Sequence, residues 1–244
     1  MIYEWKKDGV QRNFGDALGE LITPPAIYQK WKDHTTNMYF PLGSVICNEV
    51  ISETLALGYK PVFIGCGWRG EQLDHTLISA CEFRSVRGPH TAAELFKHGI
   101  KVDVMGDPAY IVSQLISKAP SSGLALLIPH ILDDFEVTPD TIHEYKADAI
   151  CHPSVDTIDD VVQLIHQISA ARFVLTGSMH AAIIAHAYGV PFAPLNSNYI
   201  DCAPKWFDWM ASVELGPPIF VDNVFEGREW YNSVMKRKEE ENGI

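Results

Sequence analysis

Arg172-Phe-Val-Leu-Thr-Gly-Ser-Met-His-Ala-Ala-Ile-Ile-Ala-His-Ala-Tyr-Gly189, or RFVLTGSMHAAIIAHAYG, decides the fold class. An apolar run of β-type residues enters a Gly-Ser turn and leaves it as an equally apolar helical stretch. Strand and helix that are both apolar belong to a parallel sheet covered on its two faces. Gly177 permits the sharp turn, and Ser178 is expected to cap the helix. The amides of residues 179–181 would then be open to a ligand. His180 falls in that first turn, where the helix dipole, worth roughly 0.3–1 kcal/mol, disfavours an imidazolium. Such a histidine leans neutral until an anion arrives, and can then serve as donor, acid or base. The competing reading is a satisfied core histidine, which is the reading adopted for His186 on the same helix.

Outward from this stretch, short β-type runs alternate with helical periods, the pattern of an α/β protein with mostly parallel sheets. The expected strands are 61–65, 81–86, 102–106, 123–129, 148–152, 172–176 and 190–195. Between two of them Ile158, Val161, Val162, Ile165 and Ile168 recur at helical spacing, with Asp156 or Thr157 as the cap. Ser117-Lys-Ala-Pro-Ser-Ser-Gly123 reads as a linker. It divides the chain into an N-terminal α/β lobe, 1–118, and a C-terminal Rossmann-like lobe, 123–244, that ends in a charged helix.

Composition narrows the function. The 244 residues carry 19 Lys and Arg against 31 Asp and Glu, a formal charge of −12, which disfavours nucleic acid or an anionic membrane as the main partner. Five scattered cysteines show no C-x-x-C spacing, so neither a disulfide framework nor a zinc site is expected, and a reducing cytoplasm fits. The opening MIYEWKKDG lacks a signal-peptide core, and no apolar run is long enough to span a bilayer.

In parallel α/β sheets ligands lie beyond the carboxyl ends of the strands. The residues just after each expected strand are therefore the candidates: Gly65-Cys-Gly67-Trp-Arg69-Gly70, Arg87-Gly-Pro, Asp107-Pro, His130 and Gly177-Ser178-Met-His180. Arg87 can grip phosphate or carboxylate with two prongs, or form an ordinary ion pair. GCGWRG matches a dinucleotide fingerprint, yet the next expected strand ends in Arg87 instead of a ribose-binding acid. Its glycines are equally suited to letting backbone and Arg69 approach a ligand. Asn13-Phe-Gly15-Asp16-Ala-Leu opens an apolar helix in which Asp16 is either a cap or a catalytic carboxylate. In Lys205-Trp-Phe-Asp-Trp-Met210 the aromatics could stack on a sugar, but the helical spacing favours Trp206, Phe207 and Met210 as core, and Leu95 and Phe96 are likewise read as inward.

NFGDAL (13–18), VRGPHTAAELFKHGI (86–100), GDPAYIV (106–112), IPHILDD (128–134) and TGSMHAAIIAHAYGVP (176–191) together resemble the polysaccharide pyruvyl transferase family, in the family's order. The resemblance implies two Rossmann-like lobes facing a cleft, as in GT-B glycosyltransferases. It also implies transfer of a pyruvyl unit from phosphoenolpyruvate to a sugar as a ketal, with no metal or other cofactor. The family's arginine falls on Arg87 and its second-lobe histidine on His180. On this reading Arg87, His130 and the 179–181 amides hold the donor, His180 does acid or phosphate work, and Asp16 is the base. Asn13, Gly15, Gly67, Arg69, Asp107, Gly177 and Ser178 complete the substrate-binding set. The partners are the small-molecule donor and a saccharide acceptor, and a lipid-linked acceptor would make any membrane association peripheral. A nucleotide-sugar glycosyltransferase, a dinucleotide oxidoreductase resting on GCGWRG alone, and a non-catalytic saccharide-binding member of the same fold are the alternatives.

Overall fold

The computed structural model describes residues 1–3, 12–33, 36–133, 136–197, 202–241 and 243. Its strands are β1 (Asn37–Phe40), β2 (Lys60–Phe63), β3 (Glu82–Phe83), β4 (Ala125–Ile128), β5 (Ala149–Ile150), β6 (Phe173–Thr176) and β7 (Phe192–Pro194). They form two wholly parallel sheets, ordered β1-β2-β3 and β5-β4-β6-β7, so the fold is α/β with Rossmann-like sheets. The residues separate into two units. Unit 1 takes Met1–Lys6, Gly19–Pro108 and Cys202–Glu214; unit 2 takes Lys7–Leu18, Ala109–Asp201 and Leu215–Ile244.

This division differs from the expected split at 118–123, for reasons visible in the hydrogen bonds. The 117–123 stretch is fastened to unit 2: Lys118 Nζ donates to the Tyr188 carbonyl at 2.9 Å and the Ser122 amide to the Ala170 carbonyl at 2.8 Å. Residues 12–14 are tied to unit 2 as well, since the Phe14 amide donates to Pro153 O and the Val155 amide to Arg12 O. Helix Ala203–Ser212 instead belongs to unit 1, where the Asp208 carboxylate accepts from the Thr91 amide and hydroxyl at 3.0 and 2.6 Å.

In unit 2, β4 and β6 are buried along their whole length, the burial expected of central strands covered on both faces. The covering helix Ile158–Ala170 buries Val161, Leu164, Ile165 and Ile168, and opens with a capping box in which Thr157 and Asp160 satisfy each other's backbone amides. In unit 1 the strands are pinned by an aromatic ladder: Phe40, Phe63 and Phe83 occupy one register across β1, β2 and β3, with ring centroids 4.7 and 5.2 Å apart. Strand β1 was not among the expected strands. Among the described residues the expected strand 102–106 makes one bridge, Met105 to Val86, and Val104 and Met105 are exposed. Leu95, Trp206 and Met210 are buried as expected, joined by Trp209, whereas Phe96 and Phe207, also expected inside, are 68% and 40% exposed.

Candidate functional site

The carboxyl edge of the unit 2 sheet carries one group of candidates. After β6, the Gly177 amide donates to Ile128 O at 2.9 Å, drawing the β6 turn onto the end of β4, and Gly177 lies against the His130 backbone. The Ser178 amide donates to Thr176 Oγ1 at 2.9 Å. Ser178 holds the N-cap position of helix Met179–Ala187, but its side chain makes no capping bond, in contrast to the expectation. His180 stands half-buried in the first turn. It is met there by the N-terminal motif, for a Cβ on Gly15 would lie 2.2 Å from His180 Nδ1. Only glycine at 15 leaves room for the imidazole. Asn13 Oδ1 accepts from the Gly15 amide at 3.1 Å, so Asn13 does the capping work considered for Asp16. Asp16 sits, half-buried, in the first turn of helix Phe14–Ile22.

His130 follows β4 and is buried; its amide donates to Asp133 Oδ2 at 2.8 Å and its Nδ1 accepts from the Leu132 amide at 3.3 Å. Asp134, the end of the IPHILDD motif, lies outside the described residues. His186 is held as a core group by Tyr110, whose hydroxyl lies 2.9 Å from its Nδ1, and burial followed by the charge of Lys238 pushes its pKa down.

Unit 1 carries the second group. Arg87, just beyond Val86, is fully buried. Its Nη1 donates to Ser44 Oγ at 2.7 Å and its Nε lies 3.6 Å from Asp208 Oδ2, while Nε and Nη2 make no hydrogen bond among the described residues. The guanidinium fills the place that a side chain at Gly67 would need: a Cβ there would lie 1.9 Å from Nη2. Arg69 is exposed and reaches Ser44 O at 3.4 Å, and Asp107 is buried. Cys66 packs close enough to feel both Arg87 and Asp107; desolvation pushes its thiol up to about 12, so it is no nucleophile.

Within unit 2 the structure brings Gly15 against His180 and Gly177 against His130, and within unit 1 it brings Gly67 against Arg87, contacts between motifs that the sequence presents separately. The fingerprint GCGWRG does not open a helix: the next one, His75–Ser79, has five residues and begins well after Gly70. A dinucleotide site loses its pyrophosphate-binding helix terminus. Ser44, Thr91, Asp208, His152 and Ser154 were not singled out from sequence. His152 and Ser154 were reachable by the same post-strand rule, had the strand 148–152 been ended at Ile150. Among the described residues no cluster of three or more His, Cys, Asp or Glu is arranged to hold a metal, and no helix is long and apolar enough to cross a membrane.

Comparison with known proteins agrees with this architecture. Residues 33–199 match the family described as Polysaccharide pyruvyl transferase. The succinoglycan biosynthesis protein ExoV of Rhizobium meliloti is 28% identical over 181 residues, which cover 66% of this chain and 54% of that protein. The chain therefore spans about half the length of this curated relative. Among solved structures, an uncharacterized protein of Klebsiella pneumoniae, KP1_0663, aligns over 82% of this chain and 85% of its own at a TM-score of 0.51 and 14% identity, a likeness of fold. A UDP-GlcNAc 2-epimerase of Methanocaldococcus jannaschii aligns over 91% of this chain and 73% of its own, with 14% identity and a TM-score of 0.49. With its matched segment running from before β1 to beyond β7, the chain belongs to the polysaccharide pyruvyl transferase family.

Proposed function

We propose that this protein transfers the pyruvyl unit of phosphoenolpyruvate onto two hydroxyls of a saccharide, forming a cyclic ketal and releasing inorganic phosphate. In this scheme the enol methylene takes one proton and becomes a methyl group, and the carbon bearing the phosphate becomes oxocarbenium-like. One sugar oxygen bonds to that carbon, the C–O bond to phosphate breaks with its electron pair, and the second sugar oxygen closes the ketal. Two hydroxyl protons are given up; one balances the new methyl group and the other leaves on phosphate.

The observation that carries this reading is the state of Arg87. Asp208 stands 3.6 Å from Nε as its counter-charge, yet among the described residues Nε and Nη2 of the fully buried guanidinium make no hydrogen bond; each unsatisfied group costs about 1–3 kcal/mol, a cost that an anionic ligand would relieve. The assignment of Arg87 to an anionic group of the donor rests on unit 1 alone. In unit 2 His180, half-buried at a helix amino terminus beyond β6, suits acid or phosphate work, with His130 and the first-turn amides as donors to an anion. Asp16 is retained as the base of this scheme.

The test is phosphate release from phosphoenolpyruvate in the presence of a saccharide panel. His180→Asn should fold normally and lose roughly 10²–10⁴ in turnover, the range for one acid or base. Full activity in that variant refutes the role given to His180.

A further inference from the structure

A second opening in unit 2 enters none of the roles above. Beyond the carboxyl end of β5, His152, Ser154, Asp156, Asp160, Gln163 and Gln167 line a pocket of about 270 Å³. That is slightly below the roughly 300 Å³ at which small-molecule sites begin, a size suited to one sugar ring. It lies beyond the carboxyl end of β5, the side of a parallel sheet on which ligands bind, and Ser154 bridges to Asn13 of the motif that packs on His180.

The chemistry of the lining selects its occupant. It has two carboxylates, two primary amides, an imidazole and a hydroxyl, and no lysine or arginine. A donor with both a phosphate and a carboxylate is repelled by such a wall. A neutral polyol is matched by it, because each ring hydroxyl both donates and accepts, as the amides, carboxylates and imidazole together require. Among the described residues no group of three acids, cysteines or histidines is placed to take a cation instead.

His152 has the geometry of a base within this pocket. Its Nδ1 lies 2.5 Å from Ser154 Oγ, which fixes the ring. With the Nδ1 proton donated to that hydroxyl, Nε2 carries the lone pair. Desolvation holds the imidazole below its ordinary pKa, against the opposing charge of Asp133, and so favours the neutral form at physiological pH.

We propose that this pocket binds the saccharide acceptor and that His152 accepts the proton of the attacking hydroxyl, a base in addition to, or in place of, Asp16. This rests on the transfer reaction proposed above. As the sugar oxygen bonds to the former enol carbon, its proton passes to Nε2 of His152; the pair in the C–O bond to phosphate leaves with phosphate, and the proton is then returned to that product or to water.

Two measurements on the purified protein separate this inference from the reaction it rests on. The first is saturation-transfer NMR with neutral methyl glycosides in the absence of phosphoenolpyruvate. Transfer to a glycoside is expected in the wild type, falling severalfold in Gln163→Leu and in Asp156→Asn. No transfer to any glycoside, or transfer unchanged in both variants, overturns the pocket. The second is phosphate release. Gln163→Leu should raise the acceptor KM about tenfold and leave the phosphoenolpyruvate KM alone, the cost of one lost set of polar contacts. His152→Gln should lower kcat by roughly 10²–10⁴ with the acceptor KM unchanged, and Ser154→Ala should fall between it and the wild type. A rise in the phosphoenolpyruvate KM in parallel, or full turnover in His152→Gln, overturns the assignment. If the wild type releases no phosphate with any acceptor, the transfer reaction itself fails, while the NMR result still decides whether the pocket takes sugar.

Discussion

Replacing Gly15 by alanine should couple the N-terminal motif to His180 in a way that thermodynamics can read. A Cβ at position 15 would meet His180 Nδ1 at 2.2 Å, with Cγ and Cε1 at 3.0 and 3.1 Å. Ordinary contact begins near 3.4 Å, so the ring must retreat by about 1.2 Å. Overpacking of this kind costs about 1–3 kcal/mol. Part is offset, because alanine inside a helix is favoured over glycine by up to about 1 kcal/mol. In a His180→Ala background the clash has no partner, and only the gain remains. Urea denaturation of the wild type, both single variants and the double variant should therefore give a coupling energy of about 1–3 kcal/mol. Turnover should fall as well, by roughly 10²-fold if a displacement near 1 Å takes His180 off its substrate. A cycle that closes to within about 0.5 kcal/mol would refute the contact and with it the link between NFGDAL and the histidine.

Three other outcomes follow from the same contacts. Thr157→Ala removes the capping box of helix Ile158–Ala170 and should cost about 1 kcal/mol in chemical denaturation. Asp208→Ala leaves the buried Arg87 guanidinium without its counter-charge and the Thr91 amide and hydroxyl without their acceptor and should cost about 3–5 kcal/mol, of which adding Arg87→Met should recover only the part due to the charge. Because burial and then Lys238 hold His186 below its ordinary pKa near 6.5, the unfolded chain binds more protons as pH falls. The contribution of His186 is thus complete above about pH 6.5 and lost as pH drops through that value toward the depressed one, and His186→Gln should flatten that part of a melting-temperature profile.

Periodicity made the most regular parts of this fold legible. The helix predicted from Ile158, Val161, Ile165 and Ile168 starts and caps where its sequence says, because a 3.6-residue period and a Thr-x-x-Asp cap are local signals. The passage from β6 into helix Met179–Ala187 was legible from a different local signal, a β-type apolar run broken by the Gly177-Ser178 turn. The exchange of segments between units was not. It depends on pairings such as Thr91 with Asp208, separated by 117 residues, for which no local pattern exists. Short elements were also hidden: β1 has four residues, and what identifies it is the stacking of Phe40 on Phe63 from another strand. Of the site, the glycine-dependent contacts of His180 and Arg87 were approached through motif and position, while Ser44 was invisible because only the fold brings it to Arg87. Ser178 illustrates the limit in the other direction: its position was right, but its side chain makes no capping bond, while its amide donates to the Thr176 hydroxyl.

The most direct measurement is a coupled one: inorganic phosphate released from phosphoenolpyruvate, and mass spectrometry of the saccharide in the same reaction. Pyruvyl transfer predicts one phosphate for each saccharide that gains a carboxyethylidene group, with both signals lost together in His180→Asn. Phosphate without a modified saccharide, or a saccharide extended from a nucleotide sugar while phosphoenolpyruvate stays intact, would contradict it.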